Sequence, residues 1–227
     1  EHISEYTYAH THQIVAYISE RWNILYTVSG LTKWLHRQGF TYKQPKGVPH
    51  KFDANKQTEF VERYEALKAS LTEDEVLLFM DAVHPTQATK ITSGWIRKGV
   101  EKTISTTGSR TRLNIIGAID LGNLSAAIFD QFKTVNSEAV IAFFKKVRAT
   151  YASISVIHIV LDGAGYHKSN EVVEAAKELG ITLHYLPPYS PNLNPIERLW
   201  KVMNEYARNN KYFAKPKDFR KAINHFI

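Results

Sequence analysis

Val76-Leu77-Leu78-Phe79-Met80-Asp81 is the stretch on which the fold turns. An unbroken apolar run of this length has no polar alternation, so it reads as a strand buried on both faces, and it ends in an acid. A second such strand, 156–161, runs into Asp162. Segments 113–121 and 124–132 flank Gly122-Asn123, a two-residue turn suited to an antiparallel hairpin. Ala139, Val140, Phe143, Phe144 and Val147 follow at helical spacing. Val172, Val173, Ala176 and Leu179 make a helix closed by Gly180, and 181–186 is a short strand. Asn194 then caps a helix with Pro195 in its first turn and Ile196, Leu199, Trp200 and Met203 on its inner face. The order strand, hairpin, helix, strand, helix, strand, helix predicts an α/β domain built on a mixed sheet with helices on its faces.

Ahead of that domain the chain is helical. Ile14, Val15, Ile18 and Trp22, then Val28, Leu31 and Leu35 behind a Ser29 cap, predict two short helices joined by a tight turn and ended by Gly39. Such a pair is either a helix-turn-helix with Thr32, Lys33, His36 and Arg37 facing outward, or a plain helical hairpin. Pro45, Gly47 and Pro49 among lysines read as an extended basic arm. Phe60, Val61, Tyr64 and Leu67 mark a connecting helix. The expected division is 1–52 for the helical region and arm, 53–70 for the connector and 71–227 for the α/β domain.

A chain of 227 residues, 44% hydrophobic, can bury a substantial core. Cysteine is absent, which excludes disulfides, thiolate zinc sites and cysteine nucleophiles. Without a long apolar run or a signal-like start, a soluble, unsecreted protein is expected, cytoplasmic in a bacterium or nuclear in a eukaryote. The start at Glu1 and the stop inside a helical pattern at Phe226-Ile227 read as those of a fragment.

The net charge of +7 points to an anionic partner. Its distribution narrows the reading. Lys33, Arg37, Lys43, Lys46, Lys51 and Lys56 cluster near one end of the chain. Arg198, Lys201, Arg208, Lys211, Lys215, Lys217, Arg220 and Lys221 cluster near the other. A solvated surface accounts for either cluster alone; two clusters flanking acids favour nucleic acid.

Ligands gather at the carboxyl ends of strands in open α/β sheets. On neighbouring strands, Asp81 and Asp162 would repel unless a proton or a cation lay between them. Oxygen donors without paired histidines favour Mg²⁺ or Mn²⁺, and two such ions suit in-line displacement at phosphorus. Plainer readings stand beside this one. Gly163-Ala164-Gly165 gives Asp162 a turn to form. Glu197 falls three residues after Asn194, where a capping-box carboxylate belongs, and four before Lys201, where an ion pair forms. Periodicity alone does not select Glu197.

The stretch Leu186-Pro187-Pro188-Tyr189-Ser190-Pro191-Asn192-Leu193-Asn194-Pro195-Ile196-Glu197-Arg198-Leu199-Trp200 closely resembles the third catalytic motif of mariner-like transposases and their bacterial insertion-sequence relatives. Thirty-four residues separate Asp162 from Glu197, as in that family. Phe79-Met80-Asp81 followed by Gly94-Trp95-Ile96-Arg97-Lys98-Gly99 is similar to its first motif and its tryptophan-x-x-lysine-glycine strand. Val160-Leu161-Asp162-Gly163-Ala164-Gly165-Tyr166-His167 matches the second. The resemblance covers roughly residues 71–210 and, more loosely, the helical front end. It implies an RNase H-like fold and a DDE-type polynucleotidyl transferase. Asp81, Asp162 and Glu197 would hold two Mg²⁺ or Mn²⁺ ions per site. It further implies cleavage at transposon ends and strand transfer into target DNA, with double-stranded terminal repeats and target as partners and a homodimer at work. Ala82 departs from relatives that carry glutamate after the first aspartate, which puts the subgroup in question rather than the chemistry.

Lys33, Arg37, Lys43, Lys46, Lys51, Arg97, Lys98, His167, Lys168, Arg198 and Lys201 are the candidate DNA contacts, although Trp95 is expected in the core and a surface turn would equally explain His167 and Lys168. His84 reads as structural or solvated. Neither a dinucleotide fingerprint, a serine-hydrolase elbow nor a zinc-protease motif is present. The competing functions are an RNase H-like nuclease without strand transfer and a domesticated DNA-binding protein that has lost catalysis.

Overall fold

The computed structural model describes residues 2–45 and 53–227. It divides into two units, Glu1–Val48 and Pro49–Ile227. The strands of the larger unit are β1 (Glu75–Val83), β2 (Asn114–Asp120), β3 (Ile128–Phe132), β4 (Val156–Leu161) and β5 (Ile181–Tyr185), in spatial order β3-β2-β1-β4-β5. The helices of the chain are α1 (His2–Glu5), α2 (Thr11–Trp22), α3 (Val28–Arg37), α4 (Ala54–Ser70), α5 (Ser137–Thr150), α6 (Asn170–Glu178), α7 (Ile196–Ala207) and α8 (Pro216–Asn224). β1, β2 and β3 run antiparallel in sequence, and β4 and β5 add in parallel on the other side of β1. Their crossovers carry α5 and α6, the arrangement that parallel pairing requires.

Alternation along β1 sorts the core into two layers. Val76, Leu78 and Met80 point to α5 and α6, where Val140, Phe143, Phe144 and Val172 are fully buried. Leu77 and Phe79 point the other way, onto α7, α8 and Phe60 of α4. Burying each of these large side chains contributes roughly 1.5–3 kcal/mol, so the sheet is fastened on both faces. Asp81 continues the Leu77 and Phe79 row and therefore faces the α7 side. α5 starts where Asn136 accepts a hydrogen bond from Ala139 N. Gly180, at φ +64°, ends α6 and turns the chain into β5.

Several local expectations are corrected. β1 does not stop at Asp81. Its pairing with β2 continues through Ala82↔Ile116 and Val83↔Ile115, so the acid sits inside the strand. The β2–β3 connection is no two-residue turn: Asp120 Oδ1 accepts from Gly122 N at 2.7 Å, and a 3-10 turn at Leu124–Ala126 lengthens the loop. The expected strand around Trp95 is absent from the described residues. Residues 94–99 belong to an irregular arm whose flanks bond to each other, Gln87 N to Thr111 O and Thr89 N to Thr107 O, and Trp95 is fully exposed rather than core. α7 is not capped by the Asn194 side chain, which instead donates from Nδ2 to Met80 O at 3.2 Å.

In the smaller unit, α2 and α3 form the expected helical pair. Thr27, not Ser29, caps α3, accepting from Gly30 N at 3.0 Å. Ile14 and Leu31 are its buried anchors, whereas Trp22 and Val28 lie exposed. Lys46 and Lys51 fall outside the described residues. Among the described residues no helix is long and apolar enough to cross a membrane.

Candidate active site

Parallel pairing of β1 with β4 reaches Phe79↔Val160, and two residues further along each chain stand Asp81 and Asp162. The strands are neighbours, so the pairing of the sheet brings the two acids to one level of one edge. Glu197 enters from the first turn of α7, the helix that packs on the Asp81 face of the sheet. Asp81 and Glu197 line the same cleft, about 830 Å³, together with Lys90, Trp200, Lys201 and Glu205. Asp162 stands outside that lining.

The three acids differ in setting. Burial pushes the Asp81 carboxyl up to about 7, and the charges of Glu197 and, less strongly, Asp162 add to the effect; hydrogen bonds from Ala82 N and Trp200 oppose it. Trp200 Nε1 donates to Asp81 Oδ2 at 3.0 Å. Asp162 goes the opposite way. The His167 hydrogen bond holds its carboxyl below the usual carboxylate range, despite partial burial. His167 Nδ1 lies 2.6 Å from Asp162 Oδ1, which also accepts from Ala164 N at 3.1 Å. One oxygen of each aspartate is thus already engaged.

Neither plain reading of Glu197 survives. Asn194 is turned to the β1 backbone, so no capping box forms, and Lys201 pairs with Glu205 at 3.9 Å. Among the described residues Glu197 has no ion pair. Its exposed side chain has only the cleft and solvent to address.

The fit of a divalent cation can be judged from the donors. All three are carboxylates, the hard oxygen donors that Mg²⁺ and Mn²⁺ prefer. Among the described residues no three acids or imidazoles already enclose a metal position.

The candidate DNA contacts scatter. Lys33 and Arg37 are exposed on α3, and Lys43 is exposed beyond it. Arg97 and Lys98 lie on the irregular arm, and Arg198 and Lys201 are exposed on α7. Lys168 is exposed, its ammonium 5.1 Å from the centre of the Tyr185 ring. His167 is corrected: at 1% exposure its ring is directed to Asp162 and has no surface to offer a phosphate. His84 is exposed and bonded to Asn114 Oδ1 at 2.8 Å. Sequence reasoning placed Trp200 among plain core residues and passed over Gly117. The signal available was the helical offset of three between Glu197 and Trp200, which sets both on one face of α7.

Acids at the ends of neighbouring strands of a five-stranded mixed sheet, with a third on the helix beside them, are the arrangement to set against known families. Residues 76–220 match the DDE superfamily endonuclease family, and the chain belongs to it. Residues 5–64 match a winged helix-turn-helix family, although the described residues of the smaller unit contain no strand. The chain is 25% identical over 196 residues to the insertion element IS630 uncharacterized 39 kDa protein of Shigella sonnei, covering 86% of this chain and 57% of that one. It is 36% identical over 67 residues to the uncharacterized protein y4pE/y4sA of Sinorhizobium fredii, 30% of this chain and 45% of that one. The chain thus spans about half the length of these curated relatives. Among solved structures, the Mos1 transposase paired-end complex with left transposon end superposes at TM-score 0.69 with 14% identity, covering 99% of this chain and 68% of that one. A pre-cleavage Mos1 transpososome gives 0.71 with the same identity and coverage. These likenesses establish the RNase H-like fold.

Proposed function

We propose that the protein is a DDE-type transposase, cleaving at transposon ends and joining the freed 3′ hydroxyl to target DNA. The observation that carries it is geometric: half-buried Asp81 and exposed Glu197 line one open cleft, and Asp162 stands at the end of the neighbouring strand β4. A strand-interior acid opposed by two others is costly unless a cation answers it. The named relatives support the reading: one belongs to an insertion element, and solved Mos1 complexes carry Mg and Mn.

In this reading Asp81, Asp162 and Glu197 hold two Mg²⁺ or Mn²⁺ ions. Bound, these would activate the attacking oxygen and stabilise the leaving one during in-line displacement at phosphorus. The chain's own residues do the rest. Trp200 engages Oδ2 of Asp81 and His167 engages Oδ1 of Asp162. Lys201, lining the cleft, offsets phosphate charge. Water attacks the scissile phosphorus in the first step and the O3′–P bond breaks, leaving a 5′ phosphate and a 3′ hydroxyl; in the second that hydroxyl, losing its proton, bonds to a target phosphorus while the target's own P–O3′ bond breaks and its 3′ oxygen leaves protonated as a hydroxyl. Two ends processed together require two subunits, and the cytoplasm of a bacterium is the expected setting.

Incubating the protein with labelled element-end DNA, target duplex and Mg²⁺ tests the reading. Joined products are expected. Cleavage without joining would favour an RNase H-like nuclease, and binding with no nick under Mg²⁺ or Mn²⁺ would favour a DNA-binding protein without catalysis. The smaller unit carries its own prediction. Replacing Lys33, Arg37 and Lys43 by alanine should lower the slope of log affinity against log salt by about 0.9 for each phosphate that is no longer neutralised. An unchanged slope would remove these residues from the DNA interface.

A further inference from the structure

Asp81 pairs with Gly117 across the β1–β2 ladder, and Gly117 pairs with Phe129 across β2–β3. Directly opposed residues share a face of the sheet, so Asp81, the gap at Gly117 and Phe129 form one row. The Trp200 indole fills that gap. A Cβ placed on Gly117 would come within 2.6 Å of the indole and 2.9 Å of the Phe129 ring. The Phe129 and Trp200 rings meet at 5.8 Å and 60°. Trp200 is 3% exposed, and its ring N–H reaches Asp81 Oδ2 at 3.0 Å. Glycine here serves close approach rather than an unusual backbone: its φ is not positive, and any side chain would collide with the ring.

We propose that Trp200, seated in the slot left by Gly117, is a positioning residue. It holds Oδ2 of Asp81 so that the carboxylate keeps one orientation toward the divalent cation, and it fixes the first turn of α7 so that Glu197 stands over the same cleft. The proposal rests on the reading of Asp81 as a metal ligand. Two features of the residue match the task. A buried indole N–H must find an acceptor, and among the described residues the Asp81 carboxylate is the acceptor it finds. A ligand carboxylate, for its part, keeps its orientation only when its spare oxygen is held. Phenylalanine would pack in the same slot yet leave Oδ2 unheld. Asn194 ties the same helix entry to the neighbouring backbone carbonyl of Met80, so α7 is fastened to β1 twice.

Mn²⁺ binding to the intact protein without DNA tests this, with free Mn²⁺ counted by its EPR signal. Near-UV circular dichroism would show whether each variant keeps its packing. Trp200→Phe should weaken Mn²⁺ binding about 10- to 100-fold, the loss usual when the partner of a ligand is removed. Gly117→Ala keeps the indole but displaces it, and should weaken binding in the same direction. Met203→Ala opens a cavity in the same core and removes neither partner of the Trp200–Asp81 bond, so its isotherm should match wild type. Should Asp81→Asn weaken Mn²⁺ binding while Trp200→Phe and Gly117→Ala leave it unchanged, the positioning role is overturned and the metal reading stands. Should Asp81→Asn itself leave the isotherm unchanged, the metal reading fails and takes the proposal with it. A Met203→Ala loss equal to that of Trp200→Phe would reduce Trp200 to packing alone.

Discussion

Asp162→Asn is expected to take Mg²⁺-dependent DNA cleavage down by at least about 10³-fold, some 4 kcal/mol of barrier at roughly 1.36 kcal/mol per decade, while DNA binding stays near wild type. The substitution is unusually clean at this position. Asparagine keeps an oxygen where Ala164 N and His167 Nδ1 now find one, so the turn after β4 retains its hydrogen bonds. The side chain is half exposed, so no core packing is lost. What disappears is one negative charge and, on the proposed reading, one cation ligand, and neither carries DNA affinity, which comes from positive groups meeting phosphate. Cleavage assays on element-end DNA, paired with binding measured at the same salt, separate the two effects. Substantial cleavage by the D162N variant would remove Asp162 from the catalytic set. Joint loss of binding and cleavage would mean instead that the turn had collapsed.

The sheet was legible because its signals are local. Unbroken apolar runs mark β1 and β4, and the 3.6-residue spacing of Ala139, Val140, Phe143, Phe144 and Val147 marks α5, all five of which are buried. The misreadings arise where a local rule meets a competing contact, near or far, or meets none. Asn194 looked like a helix cap, but the β1 backbone lies within reach and takes its amide. Gly122-Asn123 looked like a tight hairpin, but Asp120 begins a turn of its own and lengthens the loop. Trp95 looked like core, but its segment joins no named strand and stands in solvent. The acids show the same limit. Nothing local separates Glu197 from an ordinary first-turn glutamate; the resemblance of its motif did. The slot at Gly117 could not be read at all, since it depends on a register across three strands and on a helix that returns to them from far along the chain.

Asp81 is expected to make the stability of the protein depend on pH and, through the proposed cation, on metal as well. In an unfolded chain an aspartate titrates near 3.9, whereas in the fold this carboxyl is pushed up to about 7, chiefly by burial and then by Glu197. Below about pH 4 both states hold the proton, and the group contributes nothing to the difference between them. Between about 4 and 7 the unfolded chain has lost its proton while the folded one keeps it, so stability falls as pH rises. Above about 7 the penalty is complete, with a ceiling on the order of 4 kcal/mol for about three units at roughly 1.36 kcal/mol each. Asp81→Asn removes the penalty and keeps an oxygen for the Trp200 N–H. The variant is therefore expected to melt close to wild type only near pH 4, a few degrees higher at pH 5, where about a third of the penalty has built up, and higher still at pH 8, given about 2–4 °C per kcal/mol for a domain of this size. Millimolar Mn²⁺ should close the gap at pH 8 by raising the wild-type melting point alone, because only the native protein binds the ion through the ionised acid. Thermal melts from pH 5 to 8.5, with and without Mn²⁺, decide it. A gap that ignores both pH and metal would show that the acid is ionised at no cost in the fold, and a cation would then have no unanswered charge at Asp81 to neutralise.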